Sequence, residues 1–389
     1  MINLLKVYPA SLNAEINGSR KAQDFYPVNN GHQYSLQNND TITVSGEAYF
    51  GINTYDPFNN GNNKNGVYKI KLFQDQMIIY EHDVETFSFE ETRYINSFID
   101  YKEYKEKQRR IQKSYIQPNN HLSIYKKSLN NGILVFSDEQ VFEMTYEVSD
   151  FAGNVAKLKF FVKSLPLNPD LVQTNNEPDL QLFSFKKTNS FRNDKLQLEV
   201  PASALYDTLY FKYQSFPATP GSYSEVHQLH FDYVPLHTSC ELSIKPDSMP
   251  DNLRNKALIA RIDKDGKYWS AGGNWENGFV KASIRDFGNY CIVTDTLAPE
   301  IRPGNISNSK NISGQSTIKL VITDELSGIK SYRGTLNGKW ILMEYDAKND
   351  LLIYQIDDRL EAGENNFKLV VTDNKDNVKT YTARLNYTK

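Results

Sequence analysis

Hydrophobic and polar residues alternate in many short stretches of this chain, as expected for β-strands with one buried face. Two examples near the N-terminus are Thr41-Ile-Thr-Val-Ser45 and Val67-Tyr-Lys-Ile-Lys-Leu-Phe73. A longer pattern occurs twice, where a β-rich run ends in Asp150-Phe-Ala-Gly-Asn154 or in Asp373-Asn-Lys-Asp-Asn377 and a second β-rich run follows. Two such hairpins predict at least two β-sandwich modules.

The last ninety residues give the most regular pattern. Strand-like stretches alternate there with turn signals at Asp324–Gly328, Asn337-Gly338 and Asp373–Asn377. This spacing is typical of an immunoglobulin-like sandwich. The predicted strands are Thr317–Thr323, Ser331–Leu336, Trp340–Tyr345, Leu351–Ile356, Asn366–Thr372 and Thr380–Leu385.

The whole chain therefore reads as an all-β protein of tandem β-sandwich modules that ends in an immunoglobulin-like domain. We expect a β-sandwich domain at 1–165, a second at 176–294 and the immunoglobulin-like domain at 295–389, with a proline-rich linker at Ser164–Pro178. One short helical insertion is predicted near 89–114, and its charged residues are read as a solvated face. In the second domain, Asp263-Lys-Asp-Gly266 between two strand-like runs predicts a hairpin.

Composition supports this class and excludes others. The 25 tyrosines and 21 phenylalanines favour pleated sheets. A net charge of −3, with Lys and Arg dispersed, gives no basic patch for nucleic acid. No apolar run is long enough for a membrane span. The start lacks a signal peptide, and Leu4–Pro9 reads as a strand already under way, which suggests that a natural N-terminus is missing. The pairing of Cys240 and Cys291 stays open, because buried free thiols fit equally well.

Candidate metal and catalytic residues fail on spacing. His227 and His230 lie in an alternating stretch, which would place positions i and i+3 on opposite faces of a strand and separate two ligands. Asp263-x-Asp265-Gly266 resembles the start of a calcium loop, but its twelfth position is Asn274. The Asp-x-x-x-Asn turns could bind calcium or could bond their own backbone, and we favour the second reading. No nucleophile motif is present.

Aromatic residues offer a binding surface. Tyr268, Trp269 and Trp275 lie in or beside a glycine- and asparagine-rich stretch, where they could form a platform for sugar rings. Tyr55 with Phe58, in a long polar loop, is a weaker candidate of the same kind. The alternative for each is an anchor in the core or in a turn.

Several phrases resemble the non-catalytic C-terminal region of Bacteroidetes lysostaphin-like zinc metallopeptidases, which cleave peptidoglycan. The resemblance covers essentially the whole chain. The phrases are Ser88-Phe-Glu-Glu-Thr-Arg-Tyr-Ile-Asn-Ser-Phe-Ile-Asp-Tyr101, Gly272-Gly-Asn-Trp275, Ser283-Ile-Arg-Asp-Phe-Gly-Asn-Tyr290, Asp295-Thr-Leu-Ala-Pro-Glu-Ile301 and Asp324-Glu-Leu-Ser-Gly-Ile-Lys-Ser-Tyr-Arg-Gly-Thr-Leu-Asn-Gly-Lys-Trp-Ile-Leu-Met-Glu-Tyr345.

The resemblance implies a non-catalytic role, because the family's zinc motifs His-x-x-x-Asp and His-x-His are absent. Zinc is expected only in a separate peptidase domain, and no catalytic or metal residue is assigned here. We expect an accessory region in the periplasm or at the cell surface that positions or regulates a peptidoglycan-directed peptidase. The alternative is a free-standing carbohydrate- or peptidoglycan-binding module. Peptidoglycan or a peptidase domain is the expected partner.

Overall fold

The fold is that of a computed structural model, which describes residues 1–31, 33–37, 41–57, 64–167 and 180–388. Phe58, His32 and most of the predicted linker lie outside the described residues. The chain divides into two compact units. The first unit comprises Met1–Asn189, Pro201–Lys212 and Phe231–Thr238. The second comprises Ser190–Val200, Tyr213–His230 and Ser239–Lys389.

The described residues form β-strands throughout, with few helices, and the all-β prediction is confirmed. Up to residue 183 the strands are β1 Ile2–Pro9, β2 Glu15–Ile16, β3 Gln23–Phe25, β4 Pro27–Asn29, β5 Tyr34–Leu36, β6 Thr41–Thr54, β7 Asp56–Pro57, β8 Lys64–Asn65, β9 Lys69–Gln74, β10 Met77–Asp83, β11 Gln112–Lys113, β12 Tyr125–Ser128, β13 Leu134–Phe136, β14 Val141–Ser149, β15 Val155–Leu165 and β16 Gln181–Phe183.

The remaining strands are β17 Asn189–Arg192, β18 Leu196–Val200, β19 Leu209–Phe211, β20 Tyr213–Phe216, β21 Val226–Leu229, β22 Pro235–Ile244, β23 Ala257–Ile262, β24 Tyr268–Gly272, β25 Asn274–Glu276, β26 Phe279–Asp286, β27 Gly288–Thr294, β28 Glu300–Pro303, β29 Lys310–Asn311, β30 Thr317–Thr323, β31 Ile329–Leu336, β32 Lys339–Ile341, β33 Glu344–Asp346, β34 Leu351–Gln355, β35 Gly363–Asp373 and β36 Val378–Tyr387.

Strand β6 organises the first unit, because it takes part in two sheets. Residues 41–45 pair in parallel with β15, whereas residues 48–54 pair antiparallel with β1. Gly46 lies between these stretches with φ +80°, and a Cβ there would lie 3.0 Å from Ala14 Cα. Only glycine fits such a corner without strain. The inward faces of both sheets then bury a core that includes Phe50, Tyr146 and Phe160.

The helical insertion follows the prediction. A 3-10 turn spans Phe89–Tyr94, and helices α1 and α2 span Ile95–Phe98 and Tyr101–Lys107. The Asp100 side chain caps α2 by accepting a hydrogen bond from the backbone N–H of Glu103, 3.0 Å away. Two further 3-10 segments span Asn130–Gly132 and Asp251–Lys256.

The prediction that the charges of this insertion face solvent is wrong for Glu103. This residue is only 6 % exposed and binds three cations, with Lys6 Nζ at 2.6 Å, Lys107 Nζ at 3.0 Å and Arg109 Nη2 at 3.0 Å. Asp24 accepts from Lys6 and Arg109 on the other side, at 3.1 Å each. Charge spacing along a helix cannot reveal a lysine that reaches it from strand β1, 97 residues away.

In the second unit, four sheets hold most of the strands. Two have the orders β17-β18-β22-β26-β25 and β20-β21-β27-β23-β24, and the other two, β28-β30-β34-β33 and β29-β36-β35-β31-β32, form the immunoglobulin-like module. Its core includes Ile318, Leu352 and Leu369. The predicted single strand Trp340–Tyr345 is wrong. Its ends belong to β32 and β33 in different sheets, and Leu342 between them is 60 % exposed.

The two Asp-x-x-x-Asn turns have the predicted hydrogen-bonded form. Asp150 accepts from the backbone N–H and from Nδ2 of Asn154, at 2.9 and 2.6 Å, between β14 and β15. Asp373 accepts from the same groups of Asn377, at 2.8 and 2.7 Å, between β35 and β36. The turns therefore close two hairpins by bonding their own backbone.

Cys240 and Cys291 are free thiols, and both are fully buried. Burial raises the pKa of each thiol to about 12, which removes the thiolate needed for exchange or metal binding. Every helix among the described residues is too short or too polar to traverse a lipid bilayer.

Candidate functional site around Trp269

The predicted aromatic platform is divided by the sheet. Tyr268 and Trp269 are neighbours on β24, and successive residues of a strand point to opposite faces. Tyr268 packs against the buried cluster that contains Leu258 and Cys291. Its hydroxyl lies 2.7 Å from Thr219 Oγ1 and donates to the carbonyl of Pro220 at 3.1 Å. Tyr268 is therefore half-buried and packs towards the core, on the face of the strand opposite to Trp269.

Trp269 is 53 % exposed and is held in one orientation by the preceding turn. Its Nε1 donates a 2.8 Å hydrogen bond to Asp263 Oδ2, and the Lys267 ammonium lies 4.3 Å from its ring centroid. Asp263 Oδ1 accepts from the backbone N–H groups of Asp265 and Lys267 at 2.9 Å. The hydrogen bond from Trp269 and those from the turn lower the pKa of Asp263. The predicted hairpin thus serves to fix an exposed indole.

Trp275 takes a third position, on β25. It is half-buried, and the guanidinium of Arg254 lies 4.8 Å from its ring. This contact is a cation–π pair within the second unit. Tyr55, the remaining described candidate, lies under the Lys64 ammonium at 4.7 Å in the first unit.

Trp269 forms one wall of an open groove of about 740 Å³ within the second unit, here called the Trp269 groove. Tyr268 and Trp275 do not line it. The lining combines the indole with amide, hydroxyl and ammonium groups and with glycine backbone. Its residues are Leu258, Trp269, Ser270, Gly272, Gly273, Asn274, Leu326, Ser327, Lys330, Asn374 and Lys375.

Hydrogen bonds from distant segments hold the polar wall of the Trp269 groove. The buried Lys375 ammonium donates to the carbonyl of Gly273 at 2.6 Å, and Asn374 Nδ2 donates to the carbonyls of Ser327 and Gly328 at 2.8 and 3.0 Å. Burial lowers the pKa of Lys375, opposed by the nearby aspartates. Lys330 Nζ pairs with Asp376 at 2.6 Å on the exposed side. An aromatic face beside such fixed polar groups suits a sugar ring with several hydroxyls.

Three carboxylates lie behind this wall. Asp295, Asp324 and Asp373 each place one oxygen within 4.8 Å of the others and are, within the described ranges, the one group of three side chains able to hold a metal. We call them the aspartate cluster. Asp295 Oδ2 accepts from the backbone N–H of Ser327 at 3.0 Å, and Asp324 Oδ2 accepts from that of Gly328 at 2.7 Å. Backbone donors therefore already serve these carboxylates.

Removing one charge from the aspartate cluster should stabilise the fold. Burial, together with the charges of Asp295 and Asp373, raises the pKa of Asp324. Ionisation of Asp324 is therefore disfavoured in the folded state. The resulting loss of stability is absent below the unfolded pKa near 3.8, where the carboxyl is protonated in both states, and is complete once the pH exceeds the folded pKa. We expect Asp324→Asn, which keeps an acceptor for Gly328, to gain ~0.5 kcal/mol at pH 7 in EDTA.

Urea unfolding at pH 7 and pH 3 measures this gain, which should disappear at the lower pH. A loss of stability in Asp324→Asn at pH 7 in EDTA would mean that the carboxylate itself is needed as an acceptor. Calcium titration of the native protein without EDTA, followed by its unfolding midpoint, tests separately whether the aspartate cluster binds a cation.

His227 and His230 each contact an aromatic residue of the fold. His227 is buried with Nδ1 2.8 Å from the Tyr213 hydroxyl, whereas His230 packs its ring edge-on to Phe287. The two rings thus have different partners, as the strand pattern predicts. Burial lowers the pKa of both imidazoles, that of His230 to about 4. Within the described part of the chain, no histidine belongs to a group of three potential metal ligands.

The fold defines the class of this chain, which is a series of β-sandwich modules ending in an immunoglobulin-like domain. The sequence model of the Zu5-like domain matches residues 180–295, less than a third of the chain. No curated protein matches the sequence.

Solved structures with some likeness include the fibronectin(III)-like modules of Clostridium thermocellum CbhA (10% identity, 38% of this chain and 85% of that chain, TM-score 0.20). A bacterial ice-binding adhesin has 9% identity, covers 89% of this chain and 90% of its own, and has a TM-score of 0.17. The Bacteroides ovatus mixed-linkage glucan protein SGBP-B has 10% identity, covers 86% of this chain and 68% of its own, and has a TM-score of 0.16. Scores this low carry no argument about function.

Sequence reasoning found Trp269 but missed its groove. The groove requires Leu326-Ser327 and Asn374-Lys375 beside residues 269–274, and these segments are far apart in the sequence. The one usable signal in the sequence was the glycine-rich stretch 272–278. In the structure, Gly273 has φ +113° and a Cβ there would lie 2.7 Å from the Lys281 carbonyl oxygen, so this position requires glycine.

Proposed function

We propose that this chain is a non-catalytic binding region of the cell envelope, in the periplasm or at the cell surface, and that the Trp269 groove binds the glycan strands of peptidoglycan. One observation carries the proposal: a half-exposed, hydrogen-bonded indole lines an open groove of about 740 Å³ with fixed amide and ammonium groups. Sugar rings stack on aromatic faces, and their hydroxyls bond to fixed polar groups.

Both lysines of the groove are already engaged, since Lys330 pairs with Asp376 and the buried Lys375 donates to the carbonyl of Gly273. The groove therefore offers an indole and fixed hydrogen-bonding groups rather than free positive charge, which suits the hydroxyl-rich sugar backbone of a glycan. The resemblance to the accessory region of lysostaphin-like peptidases independently suggests peptidoglycan. In that role, the chain would hold a separate zinc peptidase domain at its substrate.

A pull-down with purified peptidoglycan tests the proposal. We expect Trp269→Ala to weaken binding at least tenfold, which corresponds to ~1.4 kcal/mol. Trp340→Ala is the matched control, because Trp340 is similarly exposed at 48 % and does not line the groove. Trp275→Ala should also bind normally, since its ring contacts Arg254 outside the groove.

Binding that survives in Trp269→Ala but is lost in Trp275→Ala would move the site away from the groove. A parallel assay measures muropeptide release with the zinc-loaded protein. Release would refute the non-catalytic role, whichever tryptophan supports binding. To test the accessory role, the chain is fused to a lysostaphin-like peptidase domain. The fusion should cleave peptidoglycan faster than the unfused domain, and Trp269→Ala should abolish that advantage.

A further inference from the structure

A second, smaller cavity lies within the first unit and shares no lining residue with the Trp269 groove. Its volume is about 210 Å³, and it is here called the Lys113 cavity. Its wall includes Tyr8, Tyr49, Asp100, Lys113, Gln117 and Tyr233. The proposed glycan-binding function does not use these residues.

Lys113 is the unusual member of this wall. It is 9 % exposed and lies on β11, which pairs with Gly51 and Ile52 near the C-terminal end of strand β6. The structure gives its ammonium one hydrogen bond, a long contact of 3.5 Å to Gln117 Oε1. That oxygen already accepts a shorter bond of 2.7 Å from Ser97 Oγ. A buried ammonium has three N–H donors, and among the described contacts that of Lys113 makes one long hydrogen bond.

Two carboxylates act electrostatically on Lys113, and both accept hydrogen bonds from other groups. Asp100 Oδ2 accepts from the Tyr8 hydroxyl at 2.8 Å, and its Oδ1 caps helix α2. Asp207 Oδ2 accepts from the Tyr115 hydroxyl at 3.3 Å, and its Oδ1 accepts from the backbone N–H of Thr208 at 2.6 Å. The charges of both aspartates raise the pKa of Lys113, but neither carboxylate forms an ion pair with it among the described contacts.

Burying a cation without a contacting anion costs free energy, and the pKa of the cation falls as a result. Burial lowers the pKa of Lys113 to about 8, against an opposing effect of Asp100 and Asp207. The amine is therefore still mostly protonated at pH 7. An anion that entered the cavity would relieve this cost by pairing with the ammonium.

Apart from the Asp100 carboxylate, whose oxygens accept from the Tyr8 hydroxyl and from helix α2, the wall offers flat rings to a small organic anion. The rings of Tyr8 and Tyr49 stack at 4.6 Å with 9° between their planes, and Tyr49 stacks in turn on Tyr115 at 4.6 Å. This row of rings gives a rigid, flat and partly apolar surface. Lys102 and Tyr233 also line the cavity, and the Lys102 ammonium lies 4.7 Å from the Tyr233 ring centroid. The volume equals that of about seven water molecules.

We propose that the Lys113 cavity is a binding site for a small carboxylate-bearing molecule of about six to ten non-hydrogen atoms, whose carboxylate pairs with the Lys113 ammonium while its carbon atoms lie against the tyrosine rings. This site is distinct from the Trp269 groove and does not depend on it.

Isothermal titration calorimetry at pH 7 tests the proposal with benzoate, D-lactate and inorganic phosphate as separate ligands. We expect at least one carboxylate to bind the wild-type chain with a dissociation constant on the order of 1 mM. Lys113→Met should weaken that binding at least thirtyfold. Lys126→Met is the control, because Lys126 is an exposed lysine of the same unit, paired with Asp83 at 3.2 Å.

Loss of binding in Lys113→Met must not reflect misfolding. This substitution removes a buried charge, so the variant should fold and unfold at a higher temperature than the wild type at pH 7. A carboxylate should raise the unfolding temperature of the wild type and leave that of Lys113→Met unchanged. Equal binding by both chains would overturn the proposal, as would the absence of binding by both carboxylates. Binding of phosphate alone would overturn the assignment to carboxylates.

Discussion

Replacing Glu103 with alanine is expected to lower the free energy of unfolding by about 3–5 kcal/mol, the usual cost of breaking a buried ion pair from one side. Glu103 is 6 % exposed and contacts Lys6, Lys107 and Arg109 at 2.6–3.0 Å. The substitution leaves the 8 % exposed Lys6 with Asp24 as its remaining partner. It also loosens helix α2, which forms part of the first unit beside the Lys113 cavity.

The same network makes a prediction about pH. Burial alone would raise the pKa of Glu103, but hydrogen bonds from Lys6 and Lys107 outweigh it, and the pKa is lowered. A carboxylate whose folded pKa is depressed contributes stability above its unfolded pKa, near 4.5, and loses it as the pH falls through the folded pKa. The difference in stability between the wild type and Glu103→Gln should therefore shrink below pH 4.5.

Glu106→Ala is the matched control in the same helix. Glu106 is exposed and approaches Lys102 only to 4.0 Å, so its loss should change stability by less than about 0.5 kcal/mol. Urea unfolding of both variants at pH 7 measures the contrast. If Glu103→Ala and Glu106→Ala lost equal stability, the buried network would contribute no more than a surface pair.

Alternation predicted several of the longer strands, because a sheet with one buried face imposes a period of two on the sequence. Thr317–Thr323 was predicted with both ends correct, since its odd positions are more exposed than its even ones. The helical insertion was predicted from its charge and spacing. The same charges gave no sign that Glu103 turns inward, because its partner Lys6 lies on another element.

Sites were less predictable than strands for the same reason. Trp269 stood out by residue type, but Tyr268 and Trp275 did so equally, and only the pleat and the pairing of β24 and β25 separate the three. Lys113 carried no local signal at all. Its burial results from the pairing of two-residue strand β11 with Gly51 and Ile52 of β6, which is a contact across 60 residues.

The two Asp-x-x-x-Asn turns share a sequence pattern but differ in burial, and this difference leads to the second large prediction. Asp373 is fully buried and accepts from the backbone N–H groups of Lys375 and Asn377 at 2.8 Å, as well as from Asn377 Nδ2. Asp373→Ala is expected to cost about 2–3 kcal/mol, because these donors lose their acceptor in a place that water reaches poorly.

Two effects determine the size of this loss. Asp373 belongs to the aspartate cluster, so its removal also relieves repulsion on Asp295 and Asp324, which offsets part of the cost. Asp373→Asn keeps Oδ1 as the acceptor for both backbone N–H groups, but it loses the charge and replaces Oδ2, the acceptor for Asn377 Nδ2, with an NH2 donor. We therefore expect Asp373→Asn to lose clearly less stability than Asp373→Ala.

Asp150→Ala is the internal comparison, with the same pair of hydrogen bonds to Asn154 in a solvated turn. Water can replace the lost acceptor there, and the loss should be less than half of that at Asp373. Urea unfolding of the three variants gives the comparison directly. Equal losses at Asp150 and Asp373 would mean that the turn motif itself sets the stability. A much larger loss at Asp373 would mean that burial does. Asn374 and Lys375, which line the Trp269 groove, belong to this buried turn.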